Sequence, residues 1–174
     1  MLIRIIGGIT VVGATSLLGI NRARAIQEQY EEMVYLQKII YYIQSEIHYA
    51  KAYLSEIFEM TGRKSKEPYR RWLLELSSWM NGENQERFQE MWERSIEMYL
   101  DKEIRIPENE KQRLKELGKQ FGTADAQSQL RFLELYLQQI RETANEMHEN
   151  LYTRKKLSYC MGIAIGVFLF VLLI

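Results

Sequence analysis

The sequence predicts an all-α protein: an antiparallel helical bundle whose first and last helices continue into two transmembrane spans. Three observations lead there. From Ile26 to Leu151 apolar residues recur mostly at gaps of three and four, the spacing of a single helix face. No stretch alternates apolar and polar convincingly, as a half-buried strand would, and Pro68 and Pro107 are the only prolines. Two apolar stretches, Leu2–Ile20 and Leu157–Ile174, stand at the ends.

The ends set the organisation. At about 1.5 Å rise per residue, 18 or 19 residues reach roughly 27–29 Å, close to a hydrocarbon core of about 30 Å. Residues 1–20 carry only Arg4 as a charged residue and residues 157–174 carry none. The C-terminal stretch has no polar face, so as a soluble helix it would need burial all round. Ala23-Arg24-Ala25 has the small-x-small pattern of a signal-peptidase site, but Arg22 and Arg24 crowd it and read as the flank of a retained span. Arg22 and Arg24 after the first span, and Arg154, Lys155 and Lys156 before the second, both point into the middle of the chain. The positive-inside rule therefore predicts residues 21–156 in the cytoplasm, between spans 1–20 and 157–174. Cys160 is the single cysteine, which excludes an internal disulfide. The chain has no formal net charge; all but one (Arg4) of its 23 basic residues and all 23 acidic residues mix along the middle. That leaves no basic excess for nucleic acid.

Along the middle, Tyr30, Met33, Leu36, Ile40, Ile43 and Ile47 mark the first helix, and the pattern stumbles between Ile47 and Leu54. A helix ending at Gly62 follows, then the polar connector RKSKEP. Tyr69–Met80 carries Trp72, Leu73, Leu76 and Trp79 on one side, and Asn81-Gly82 signals a turn. The next helix is expected over Glu83–Leu100, with Phe88, Met91, Trp92, Ile96 and Tyr99 facing inward. Pro107 suits the first position of another, with Glu108 and Glu110 at its positive dipole end, running to about Phe121. The last starts near Asp125 and meets no break before the second span. Short connections favour antiparallel neighbours.

Leu114–Gln129 contains Gly118, Gly122 and Asp125. A phosphate loop needs a preceding strand and a Lys-Ser or Lys-Thr pair, whereas Lys119 precedes Gln120. A membrane-type glycine pair needs apolar surroundings, and Lys115, Glu116 and Lys119 exclude that. The segment reads as a structural corner. Gly122 ends one helix, Thr123 or Asp125 caps the next, and Gly118 either admits a close neighbour or weakens the helix end. Gly162 and Gly166 differ, being four apart in an apolar span, where glycines let helix backbones meet. Thr15 and Gly19 offer a matching face. Two pairings are open: the spans within one chain, or two copies of the chain as a homo-oligomer.

No residues converge as a catalytic, cofactor or metal site. His48 and His148 lie far apart in sequence without an H-E-x-x-H pattern. Glu28, Glu31, Glu32, Glu142, Glu146 and Glu149 read as solvated helix faces. Of the tyrosines crowding the first helix, Tyr35, Tyr41 and Tyr42 fall largely off the apolar face. With Glu46, between Ile43 and Ile47, they are the candidate interaction surface, since exposed aromatics are enriched at interfaces. The alternatives are rings lying over a small bundle and an ion pair for Glu46.

Leu114, Gly118, Gly122, Asp125, Ser128 and Gln129 together resemble a segment of the stage III sporulation protein AB family. Leu36, Ile40, Ile43, Glu46-Ile47, Tyr49, Leu54-Ser55-Glu56, Trp92-Glu93, Ser95-Ile96 and Gly162-Ile-Ala-Ile-Gly166 extend the resemblance over the chain. Where that family commonly has a proline before the leucine of its second helix, this chain has Tyr53; the resemblance still implies a turn over Ala50–Tyr53. It implies a bundle of about six helices, similar to the cytoplasmic domains of type II secretion F and type IV pilus platform proteins. It also implies a non-enzymatic component of a secretion-like channel, in the mother-cell membrane around the forespore, with other channel proteins, an ATPase and the lipid bilayer as partners. Two other readings compete: a pilus or secretion platform outside sporulation, and a small membrane-anchored enzyme or signalling protein.

Overall fold

The computed structural model describes residues 2–49, 52–82, 86–121 and 125–173, with side chains undescribed at 2–6, 8, 9, 126 and 173. Among the described residues the protein is all-α, with no strand. Its helices are α1 (Leu2–Tyr49), α2 (Leu54–Arg63), α3 (Tyr69–Asn81), α4 (Phe88–Tyr99), α5 (Glu108–Phe121) and α6 (Ala126–Leu173). They form two compact units. Unit 1 combines Met1–Glu31 with Asn145–Ile174, and unit 2 is Glu32–Ala144.

α1 ends at Tyr49 and α2 begins at Leu54; of the turn expected between them, Ala50 and Lys51 lie outside the described residues. Tyr53 takes φ −66° and ψ 147°, and α2 follows at once. That φ is the value a proline ring would impose, so tyrosine supplies the same turn without the ring. The helix expected from Glu83 instead starts at Phe88 as α4. Arg87 is extended, at φ −69° and ψ 143°, and stands before the first helical residue; residues 83–85 lie outside the described ones. Pro107 immediately precedes α5, where its carbonyl accepts the N–H groups of Glu110 at 2.9 Å and Lys111 at 3.1 Å.

Unit 2 is organised around two indoles. Trp72 on α3 and Trp92 on α4 meet edge to face with ring centroids 5.1 Å apart, and Trp92 also stacks on Phe121 of α5 at 6.1 Å. Phe58 of α2 lies 5.8 Å from Trp92. Around them are buried Leu36, Ile39, Ile40 and Ile43 of α1, Leu73 and Leu76 of α3, Ile96 of α4, and Leu133 and Ile140 of α6. Both indole N–H groups are satisfied. Trp72 Nε1 donates to Ser95 Oγ at 2.9 Å, and Trp92 Nε1 donates to the Leu114 carbonyl at 2.8 Å.

Gly118 explains that second bond. A Cβ built there would collide with Trp92, its closest approach being to Cδ1, with Cγ at 2.6 Å and Cβ at 3.0 Å. The indole therefore lies over the bare backbone one turn beyond Leu114, near enough to reach its carbonyl. The glycine admits a close neighbour.

Asp125 caps α6. Its Oδ1 accepts the N–H groups of Gln127 at 2.9 Å and Ser128 at 3.1 Å, and its Oδ2 accepts the Ser128 hydroxyl at 2.9 Å. The bonds from Ser128, and then Gln127, hold this carboxyl below its ordinary value. Gln129 Nε2 donates to the Phe121 carbonyl at 3.1 Å, serving the last turn of α5. Gly122 and Thr123 lie outside the described residues.

Gly118→Ala is expected to lower the unfolding free energy of the solubilised chain by about 1–3 kcal/mol, the usual cost of overpacking. Denaturant titration followed by tryptophan fluorescence checks this; an unchanged midpoint would contradict the close packing of Trp92 on α5.

Candidate functional site

Two sets of residues carry the functional argument, one in each unit. In unit 1, α1 and α6 run antiparallel with their small residues face to face. A Cβ built on Gly162 would stand 2.8 Å from the Thr15 carbonyl oxygen and 3.1 Å from Gly19 Cα. One built on Gly19 would stand 2.7 Å from the Ser158 carbonyl oxygen. At Gly166 it would collide with Thr15 Oγ1 and lie 3.0 Å from Val12 Cα. Of the two open pairings, Gly162 and Gly166 therefore pack here within one chain, against Val12, Thr15 and Gly19.

The hydroxyls beside this seam are satisfied inside their own helices. Thr15 Oγ1 donates to the carbonyls of Val11 and Val12, each at 3.1 Å, and Ser158 Oγ donates to the Arg154 carbonyl at 2.9 Å. Neither requires water. Facing outward are Leu17, Leu18, Leu157, Met161, Ile163 and Phe168, each more than half exposed. By length and composition α6 holds a segment that can cross a membrane. The N-terminal apolar stretch lies partly outside the residues whose side chains are described. Cys160 is a free, exposed thiol.

In unit 2, Tyr35, Tyr42 and Glu46 line one groove of about 350 Å³, with Lys38, Thr61 and Lys64. Lys64 Nζ stands 4.0 Å from Glu46 Oε1, so Glu46 makes the intrabundle ion pair. Lys38 Nζ lies 5.6 Å from the Tyr42 ring centroid. Tyr41 lines a second, wider groove of about 770 Å³ with His48, Arg131 and Glu134. Tyr41 and Tyr42 are 56% and 40% exposed.

Tyr35 takes the alternative the sequence left open, a ring lying over the bundle. It is half-buried; its hydroxyl accepts the Lys66 N–H at 2.7 Å, and its ring packs on Tyr69 at 5.3 Å. Lys66 Nζ lies 4.2 Å above the same ring. Tyr35 fastens the α2–α3 connector to α1, which position relative to the apolar stripe of α1 did not reveal. Glu32 corrects the sequence reading. Its side chain is 20% exposed and 3.6 Å from Lys66 Nζ, and its Oε1 is buried without a hydrogen-bond partner.

Sequence reasoning also missed Glu110. It is fully buried, and its Oε1 accepts from Arg113 at 2.6 Å and from the Thr143 hydroxyl at 3.0 Å. Its Oε2 and the Tyr136 hydroxyl are both buried without a hydrogen-bond partner. Glu110 lies one turn before Leu114 and two before Leu117, on the apolar stripe of α5, and that spacing was the available signal. Burial holds the Tyr136 hydroxyl well above its ordinary 10.0, and Glu110 raises it further. Burial likewise raises Tyr69, with the neighbouring Glu32 adding to it.

His148 is exposed in unit 1 with its ring 5.4 Å from Tyr30, and His48 is exposed in unit 2 with its ring against Tyr49 at 4.6 Å. Among the described residues no three His, Cys, Asp or Glu side chains converge as metal ligands.

Residues 4–174 match the family model of stage III sporulation protein AB. The chain belongs to that family. A solved structure of stage III sporulation protein AB (SpoIIIAB) matches with a TM-score of 0.63 and 18% identity, over 71% of this chain and 96% of that one. At that identity the likeness concerns the fold. No curated protein matches the chain. Membership in the stage III sporulation protein AB family brings a sporulation-related role, and the family is not a known enzyme family.

Two outcomes are expected. Gly162→Leu with Gly166→Leu forces α1 and α6 apart in unit 1 and should lower the thermal midpoint of the solubilised full chain, at a cost of about 1–3 kcal/mol per overpacked site. Circular dichroism melts check it. The second concerns alkali. Tyr69 and Tyr136 titrate above their unfolded value of 10.0. Their stabilisation is therefore complete below pH 10 and is lost as pH rises beyond it. Melting midpoints should fall above about pH 10, and less steeply in the Tyr69→Phe/Tyr136→Phe chain.

Proposed function

We propose that this stage III sporulation protein AB family member is a non-enzymatic platform. It is held by two membrane spans, with residues 21–156 in the cytoplasm, in a secretion-like channel between mother cell and forespore. There it docks a partner ATPase and other channel proteins. The observation that carries the membrane part is the arrangement of unit 1. Small residues are spent on the helix–helix seam, large apolar ones point outward, and the hydroxyls of Thr15 and Ser158 are closed on their own helices. That arrangement suits hydrocarbon as a solvent, where close backbone packing replaces hydrophobic attraction between helices. The family supports the sporulation part. The docking part is supported by Tyr41 and Tyr42, exposed beside two neighbouring grooves of unit 2.

Membranes from sporulating cells should retain the chain after an alkaline wash, and a reporter fused near residue 100 should be active in the cytoplasm. Tyr41→Ser with Tyr42→Ser should weaken capture of the channel ATPase by about tenfold, the scale of one interface aromatic anchor, with the melting midpoint unchanged. Tyr35 is left in place because it fastens the connector. Equal capture by both chains would move the docking surface off this face, and release of the chain by the wash would end the membrane reading.

A further inference from the structure

The antiparallel register of unit 1 does more than pair glycines. Gly19 faces Ser158 and Gly162, Thr15 faces Gly162 and Gly166, and Lys155 Nζ reaches Gln27 Oε1 at 3.4 Å. That register sets Arg22 level with Leu157 and Arg24 level with Lys155. Five cations, Arg22, Arg24, Arg154, Lys155 and Lys156, thus fall within about 5 Å along the pair of helix axes. They come from opposite ends of the sequence.

The charge of this band is not balanced locally. No Asp or Glu occurs in residues 1–27 or 150–174. Arg22, Arg24, Arg154 and Lys156 are exposed. On one side of the band the surface is apolar, with Leu17 61%, Leu18 69% and Leu157 58% exposed. Tyr152 and Tyr159 are exposed near the same level, at 76% and 39%, as amphipathic rings are where hydrocarbon meets water.

We propose that these five side chains form a collar that selects anionic phospholipid headgroups from the surrounding bilayer. A guanidinium takes a phosphodiester through two parallel N–H bonds, and the ammonium groups add charge. Neutral zwitterionic lipid offers the same phosphate with a compensating cation, so the excess charge of the collar discriminates between the two. The proposal rests on the reading of both apolar segments as membrane-spanning.

The test reconstitutes the full chain in phosphatidylcholine vesicles containing a minority of phosphatidylglycerol. The relative association of nitroxide-labelled forms of each lipid is then measured by electron spin resonance. At low ionic strength phosphatidylglycerol should be preferred by at least about threefold, given that each basic residue near an anionic surface contributes a several-fold factor. The preference should fall towards one at about 1 M salt, where charges are screened beyond about 3 Å. It should also fall in the Arg22→Gln/Arg24→Gln/Arg154→Gln chain. Equal association of both lipids with the native chain, or a preference insensitive to salt, would sink the collar and leave the membrane reading intact. Failure of the native chain to enter vesicles at all would sink both. If the triple variant does not insert, the salt series on the native chain decides. Displacement of labelled phosphatidylglycerol by inorganic phosphate, beyond that by chloride at equal ionic strength, would assign the collar to free phosphate instead of lipid.

Discussion

The contact on which unit 2 depends is Trp92 lying across Gly118 with its N–H on the Leu114 carbonyl. Burying an indole removes roughly 150–250 Å² from water, worth about 4–6 kcal/mol at about 25 cal/mol per Å². The hydrogen bond itself adds only about 1 kcal/mol net. Burial therefore supplies the energy, and the bond supplies the position. A buried N–H left unmade costs about 1–3 kcal/mol, so any packing that moves the ring off Leu114 is penalised. Only a residue without Cβ at 118 allows both conditions together. From that ring the order spreads outward, edge-on to Trp72, stacked on Phe121 and against Phe58. The second indole repeats the device, since Trp72 is held by Ser95, whose own hydroxyl donates to the Trp92 carbonyl at 2.7 Å.

Unit 1 solves a different problem with the same residue type. In the proposed membrane setting hydrocarbon is the solvent, apolar side chains gain nothing from leaving it, and helices associate through close van der Waals packing. Gly19, Gly162 and Gly166 supply that closeness, and a methyl group at any of them would enter the van der Waals envelope of the facing helix. Glycine at 118 makes room for a large ring, while glycine in the seam makes room for a second backbone. The spacing is the same four residues in 118/122 and 162/166, so spacing alone does not distinguish them; the charges beside Gly118 and their absence beside Gly162 do.

This contrast marks how much was legible. Helix identities came from the three-and-four repeat, because burial on one face is what that repeat encodes. The Asp125 cap was legible because capping chemistry is local: it needs only Gln127 and Ser128. The seam was legible to one residue on each side, but whether it closed within the chain was not, since register belongs to the pair of helices. What sequence reading missed involves contacts between elements. Tyr35 was set off the stripe of α1, yet the connector after α2 folds back onto its hydroxyl. Glu110 was given to the helix dipole, though it also stands on the buried stripe of α5 and meets Thr143 across the bundle. The start of α4 slipped because the apolar repeat does not begin until Phe88, and residues before it carry helix-compatible side chains without a packing face.

The polar groups of the bundle are committed in ways that bear on what the protein does. Glu110 is buried with Arg113 and Thr143 around one oxygen, and Tyr69 and Tyr136 are held neutral by burial. These groups lie in the interior, and neither groove is lined by them. The raised hydroxyls of Tyr69 and Tyr136 therefore follow from burial in the packed interior. The groove chemistry is different in kind: an ion pair between Lys64 and Glu46, a lysine above Tyr42, and tyrosines standing out from α1. Tyrosine is suited to that place because it offers a large rigid face at the cost of two rotatable bonds, with a hydroxyl that stays content in water. A surface of that composition is the kind the proposed docking role calls for.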